Sequence, residues 1–140
     1  MKQEPTQIRD PIHGYIYASE LEQELLDSEV FQRLRRIRQL ACAHLIYPGA
    51  HHTRFEHCIG TMHLAKIAST HLHSQGKMNR EQCVQLNAAA LLHDIGHGPF
   101  SHLFEEVLAE KGITHENITT RIIRETEISD ILKKYGINTN

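Results

Sequence analysis

Two short stretches carry the residue types that metal-assisted chemistry needs. His93 and Asp94 stand side by side at the end of the apolar run Ala88-Ala89-Ala90-Leu91-Leu92, and Gly96, Gly98 and Pro99 then break the helical pattern. A helix ending this way delivers an imidazole and a carboxylate into a turn. His57, on a separate predicted helix, can supply a third ligand. Neutral imidazole and carboxylate suit a divalent transition metal such as iron, manganese, nickel or zinc, with magnesium allowed beside it. His97, Ser101 and His102 are placed to form the polar layer around those ligands. Three protein ligands leave positions open for water and a substrate oxygen. A metal so held can bring the pKa of water to about 7 and polarise a phosphoryl group, which makes phosphoester hydrolysis the natural reaction. The plainer alternative is that one histidine caps its helix and the others are solvated.

Other groups fit the same chemistry. Arg54 lies three residues before His57, on a neighbouring position of one helical face, where it can neutralise phosphate charge. His102 and His115 can transfer protons because imidazole titrates near neutral pH. His102 and Glu105 are three apart and can face one site.

The elements that must position these groups can be read from periodicity and caps. Ile and Tyr alternate around Asp10-Pro11-Ile12-His13-Gly14, which predicts a short hairpin or extended arm within residues 1–20. A first helix is expected near Leu21–Leu26. A second should run from a cap at Asp27 or Ser28 to Leu40, with Val30, Phe31, Leu34, Ile37 and Leu40 on one face. Its other face holds Arg33, Arg35, Arg36 and Arg38, either solvated and paired with carboxylates or forked onto phosphate. After the Tyr47-Pro48-Gly49-Ala50 loop, Thr53 and Glu56 form a capping box for a helix reaching Ser74. The helix from Asn79 through His93 is apolar on nearly all sides in its second half, which predicts a buried central helix. Pro99 is placed to start a helix that Gly112 stops, with Leu103, Val107 and Leu108 facing the core. Thr114 caps the next helix, and a weaker one covers Ile128–Tyr135. The expected architecture is an all-α bundle with a small N-terminal β element.

Composition sets the outer bounds. The 140 residues suit a single domain. A net charge of −2 disfavours a general nucleic-acid or membrane surface, and no apolar run or leader pattern points to insertion or export. Cys42, Cys58 and Cys83 make no CxxC spacing and read as small buried hydrophobes of a cytoplasmic protein. Twelve histidines are the departure from average, concentrated between His44 and His115.

Taken together, Arg54-Phe55-Glu56-His57 and His93-Asp94-Ile95-Gly96-His97-Gly98-Pro99-Phe100-Ser101-His102 resemble the HD-domain metal-dependent phosphohydrolase superfamily, and within it the deoxynucleoside triphosphate triphosphohydrolases. Asp10–Gly14, Phe31–Arg35, Tyr47–Ala50 and Thr114-His115-Glu116 extend the resemblance over most of the chain. It implies metal ligands at His57, His93 and Asp94 and catalytic positions at His102, Glu105 and His115. It also implies substrate contacts at Arg54, His97, Gln39 and Leu40, the last two reading the deoxyribose. Asp27, Gln32 and Arg35 would correspond to an activator-nucleotide site at a subunit interface, implying a homo-oligomer. The family's fourth ligand is a downstream Asp; Asp130, 36 residues after Asp94, is the only one present and lies short of the family's spacing, so it is not assigned. Residues 1–140 therefore resemble the N-terminal portion of a longer HD enzyme. Arg9 stands where activator-binding members place Asn.

The implied reaction is hydrolysis of a deoxynucleoside triphosphate to deoxynucleoside and tripolyphosphate. The alternatives are hydrolysis of another nucleotide or phosphoester, or a nonhydrolytic nucleotide-binding module.

Overall fold

The computed structural model describes residues 5–100 and 102–139; the side chains of His102 and Leu103 also lie outside that description. The hairpin forms, with β1 (Thr6–Asp10) antiparallel to β2 (Gly14–Ala18) in the register Ile8↔Ile16. Asp10 Oδ1 accepts from the backbone N–H of Ile12 and His13 at 2.9 and 2.8 Å, which closes the turn, and Gly14 takes the left-handed φ of 77° that follows it. Ile16 and Ala18 point inward, so the hairpin is anchored in the helical core rather than extended as a free arm.

Helix α1 (Glu20–Asp27) starts at a Ser19/Glu22 capping box and buries Leu21, Leu25 and Leu26. The predicted helix to Leu40 is much shorter. Ser28 caps α2 (Glu29–Gln32), which tightens into a 3-10 turn over Arg33–Arg36. Ile37 is then extended, because Arg38 bridges to Thr53 and the Ile37 carbonyl accepts from the Arg54 N–H at 2.8 Å. Pairing with the next helix's N-terminus thus overrides local helical periodicity. Phe31, Leu34 and Ile37 are buried as expected, whereas Leu40 is exposed.

Helices α3 (Arg54–Ser74) and α4 (Arg80–Leu92) form the main pair, each opened by a capping box, Thr53 with Glu56 and Asn79 with Gln82. Helix α4 is not buried all round: Ala88, Leu91 and Leu92 face the core, while Val84, Leu86 and Ala89 are exposed. Its apolar run fills one face against α3, and no described element covers the other. Helix α5 (His102–Ala109) begins three residues after Pro99, which sits in a turn with Phe100 at a φ of 64°. Val107 is exposed rather than buried, and Leu108 is half-buried. Helices α6 (His115–Glu125) and α7 (Glu127–Lys134) close the order, and Ile128 and Leu132 of α7 complete the core. Among the cysteines only Cys58 is buried; Cys42 lies in an exposed turn and Cys83 is half-buried. The fold is helical with one two-stranded hairpin among the described residues.

Candidate metal centre

The first turn of α3 and the end of α4 meet at the ligands. His93 is the C-terminal cap of α4, with helical angles, and its Nδ1–H donates to the Ala90 carbonyl at 2.9 Å. That bond leaves Nε2 with its lone pair facing outward. His57 Nε2 lies 3.2 Å from it. Two imidazole nitrogens so close repel unless a proton or a cation lies between them. Asp94 completes the group, with Oδ1 3.4 Å from His93 Nε2 and Oδ2 3.5 Å from His57 Nε2. One ligand atom from each residue falls within a 4.8 Å cluster. Burial holds the His57 imidazole below its ordinary pKa, with Asp94 opposing and the neighbouring His93 and Arg54 adding to the depression. Neutral imidazole is the ligating form, so these donors fit a divalent transition metal.

Asp94 is 7% exposed and Arg54 2%, and Arg54 Nη1 donates to Asp94 Oδ2. The guanidinium is therefore engaged with the ligand itself. That contact fixes the direction in which the buried Asp94 side chain points.

A second group continues from the first. His97, 2% exposed, places Nε2 3.5 Å from Asp94 Oδ1 and Nδ1 3.9 Å from Glu105 Oε1. Glu105 Oε1 also forms a close ion-pair contact with His115 Nδ1, and His115 Nε2 lies 3.3 Å from Glu116 Oε1. The His97 and His115 rings stack at 4.1 Å with 17° between planes. Both Nδ1 atoms face the same Glu105 Oε1, and one ligand atom from each of the three residues lies within 4.8 Å of the others. Burial, followed by the nearby Arg54 charge, pushes the His97 pKa down to about 4.

Gly96 makes the junction possible. A Cβ there would lie far inside contact distance of the His115 carbonyl and of the Thr119 backbone and hydroxyl. Without one, the first turn of α6 packs directly on the His-Asp turn, and Thr119 Oγ1 accepts from the Gly96 N–H at 3.0 Å. Thr114 caps α6 with Asn117 and so aims His115 inward.

The remaining expected site residues divide. Gln39 lines a cavity of about 540 Å³ that reaches His57 and is walled by Pro11, Ile12, His52 and Leu64. Leu40 is exposed in the adjoining turn. Asp27, Gln32 and Arg35 line a separate cavity of about 350 Å³ together with Arg9 and Asp10. There Arg35 Nε donates to Gln32 Oε1 at 2.7 Å and its guanidinium lies 3.5 Å over the Phe55 ring. Asp130 is exposed on α7 and belongs to neither ligand cluster among the described residues. Ser101 and the His102 side chain lie outside the described residues.

Two contributors were not legible. Arg33, grouped with the solvated or phosphate-facing arginines, instead bonds the carbonyls of Ile95 and His97. Thr119 had no signal at all, although the crowding of Gly96 between His93-Asp94 and His97 could have marked a close backbone approach.

Relatives share this framework. A protein of Methanocaldococcus jannaschii is 46% identical over 117 residues, covering 79% of this chain and 24% of that protein. Deoxynucleoside triphosphate triphosphohydrolase SAMHD1 of Bos taurus is 38% identical over 144 residues, covering 93% of this chain and 24% of its own length. The crystal structure of a phosphohydrolase from Bacteroides thetaiotaomicron superposes with a TM-score of 0.82 at 36% identity, covering 95% of this chain and 32% of that one. The chain thus spans about a quarter of the length of the curated relatives it matches. Residues 54–137, which include His57, His93, Asp94 and the His97–Glu105–His115 group, match the HD domain, and the chain belongs to the HD-domain family.

Proposed function

We propose that the chain is the metal-binding portion of a cytoplasmic phosphohydrolase that converts deoxynucleoside triphosphates to deoxynucleoside and tripolyphosphate. One observation carries the reading: the ligand cluster and the His97–Glu105–His115 cluster adjoin, His97 Nε2 lying 3.5 Å from Asp94 Oδ1. The similarity to a triphosphohydrolase supports the substrate class.

A divalent metal held by His57, His93 and Asp94 would supply Lewis acidity toward a phosphoryl oxygen and a water made acidic near neutral pH. The chain's own residues account for the rest. Arg54 keeps the Asp94 carboxylate aimed at the centre. Glu105 orients His115 through Nδ1, so that His115 can take or return a proton at Nε2, and His102 is assigned the same work from its position on α5. Water adds to the α-phosphorus, the bond to the 5′ oxygen breaks, and that oxygen leaves with a proton. Gln39 sits in the cavity beside His57, where a sugar hydroxyl would reach its amide. The cavity holding Asp27, Gln32 and Arg35 is assigned to an activating nucleotide in a homo-oligomer.

Separation of products from a deoxynucleoside triphosphate incubated with the metal-loaded protein tests this. Tripolyphosphate appearing with deoxynucleoside supports it. Orthophosphate would point to another phosphoester reaction of the same centre. No turnover by a metal-loaded chain would favour a nonhydrolytic nucleotide-binding module.

A further inference from the structure

The turn that carries Asp94 and His97 is held by side chains remote in sequence. Arg33 Nη1 donates to the His97 carbonyl at 2.8 Å, and Arg33 Nη2 donates to the Ile95 carbonyl. Between those two carbonyls, the Gly96 N–H is taken by Thr119 Oγ1 at 3.0 Å. Three consecutive residues of the turn are thus fixed by groups from α6 and from the 3-10 turn after α2. The backbone adds two short-range bonds, Ile95 N–H to the Leu92 carbonyl at 3.0 Å and His97 N–H to the Asp94 carbonyl at 3.1 Å.

This pinning begins one residue after Asp94 and ends on His97, itself a member of the second cluster. Ligand distances tolerate only about 0.2 Å of change around a metal, so a turn free to shift by a fraction of an ångström would lose the coordination geometry. The planar guanidinium fork is suited to two carbonyls at once; a lysine ammonium at the same place could hold only one in good geometry. Arg33 differs from its neighbours in this respect. Arg35 lies over Phe55 and lines a different cavity, and neither it nor Arg36 bonds the turn among the described contacts.

We infer that Arg33 is a positioning residue for the metal centre, acting through the Ile95 and His97 carbonyls to hold Asp94 and His97 in place. The inference rests on the reading of His57, His93 and Asp94 as ligands. It assigns Arg33 neither substrate phosphate nor a solvent-facing role.

The test compares the full chain with its Arg33→Lys and Arg33→Ala variants. Metal affinity is measured by competition with a chelator, using manganese as the probe, and the manganese electron paramagnetic resonance spectrum is recorded alongside circular dichroism. Lys keeps the positive charge and removes the fork, so it isolates geometry from electrostatics. The expected result is helical content retained in Arg33→Lys, metal affinity lowered about 10- to 100-fold as for other groups that orient ligands, and a spectrum broadened by a less defined coordination. Arg33→Ala should lose more. A purely structural Arg33 would lower the melting temperature of both variants while the folded protein bound manganese with wild-type affinity and spectrum, and that result would overturn the inference. Wild-type protein that binds no manganese would overturn the ligand assignment itself, and the inference with it.

Discussion

At the scale of single residues, the centre depends on a buried charge pair. Asp94 is 7% exposed and Arg54 2%, and each is the other's nearest opposite charge. Asp94→Asn removes a ligand and also leaves a buried guanidinium uncompensated, for which a loss of about 3–5 kcal/mol is typical. Urea unfolding of metal-free protein measures that part alone, and a change within experimental error would show that Arg54 is balanced by other groups. The ligands themselves were legible from the sequence because a His-Asp pair at a helix end, with a third histidine on a neighbouring helix, is a local pattern. Arg54 was legible only as a charge. Its partner could not be read, because an ion pair across 40 residues leaves no trace in periodicity. Arg33 escaped for the same reason: four arginines within six positions look alike until the fold brings the Ile95 and His97 carbonyls to one of them.

At the scale of elements, α6 reaches the centre only because Gly96 has no side chain. Gly96→Ala should push the first turn of α6 outward, separate His115 from His97, and cost about 1–3 kcal/mol through overpacking. Thermal melting reads the cost, and unchanged stability would mean that α6 can give way freely. Helix α7 is tied to α1 differently, by Lys134 Nζ at 2.6 Å and Tyr135 Oη at 2.7 Å, both donating to Glu24 Oε1. The Lys134 bond first, and then the Tyr135 bond, hold the Glu24 carboxyl below its ordinary value. A lowered carboxyl pKa means that the unfolded chain binds the proton more tightly. The contribution is therefore complete above the ordinary 4.5 and is lost as pH falls through the lowered value. Hydrogen-exchange protection of α7 should drop in that acid range, and Glu24→Gln should flatten the drop; equal acid sensitivity in both proteins would contradict the assignment. Helix boundaries set by caps, such as Ser19 with Glu22 and Thr53 with Glu56, were readable because capping chemistry is local. The end of the Arg-rich helix was not readable. It is fixed by the Ile37–Arg54 backbone bond, which forms only when two segments far apart in sequence meet.

At the scale of the whole molecule, α3, the end of α4, α5 and the start of α6 meet at one junction, where Arg54, His57, His93 and His97 surround Asp94 and Glu105 and His115 lie beside His97. The all-α class with an N-terminal hairpin followed directly from periodicity and turn residues. The exposed face of α4 did not, since Val84, Leu86 and Ala89 have the composition of a core helix and only the placement of neighbours decides burial. No helix among the described residues is long and apolar enough to cross a membrane. Asp130, exposed on α7, belongs to neither ligand cluster among the described residues, so the proposed centre draws its donors in this chain from His57, His93 and Asp94. Elemental analysis of protein purified without chelator or metal-affinity tag, beside a His93→Ala control, tests that directly. About one transition metal per wild-type chain, lost in the control, is the expected result. Metal absent from both proteins would contradict a centre built from these three residues.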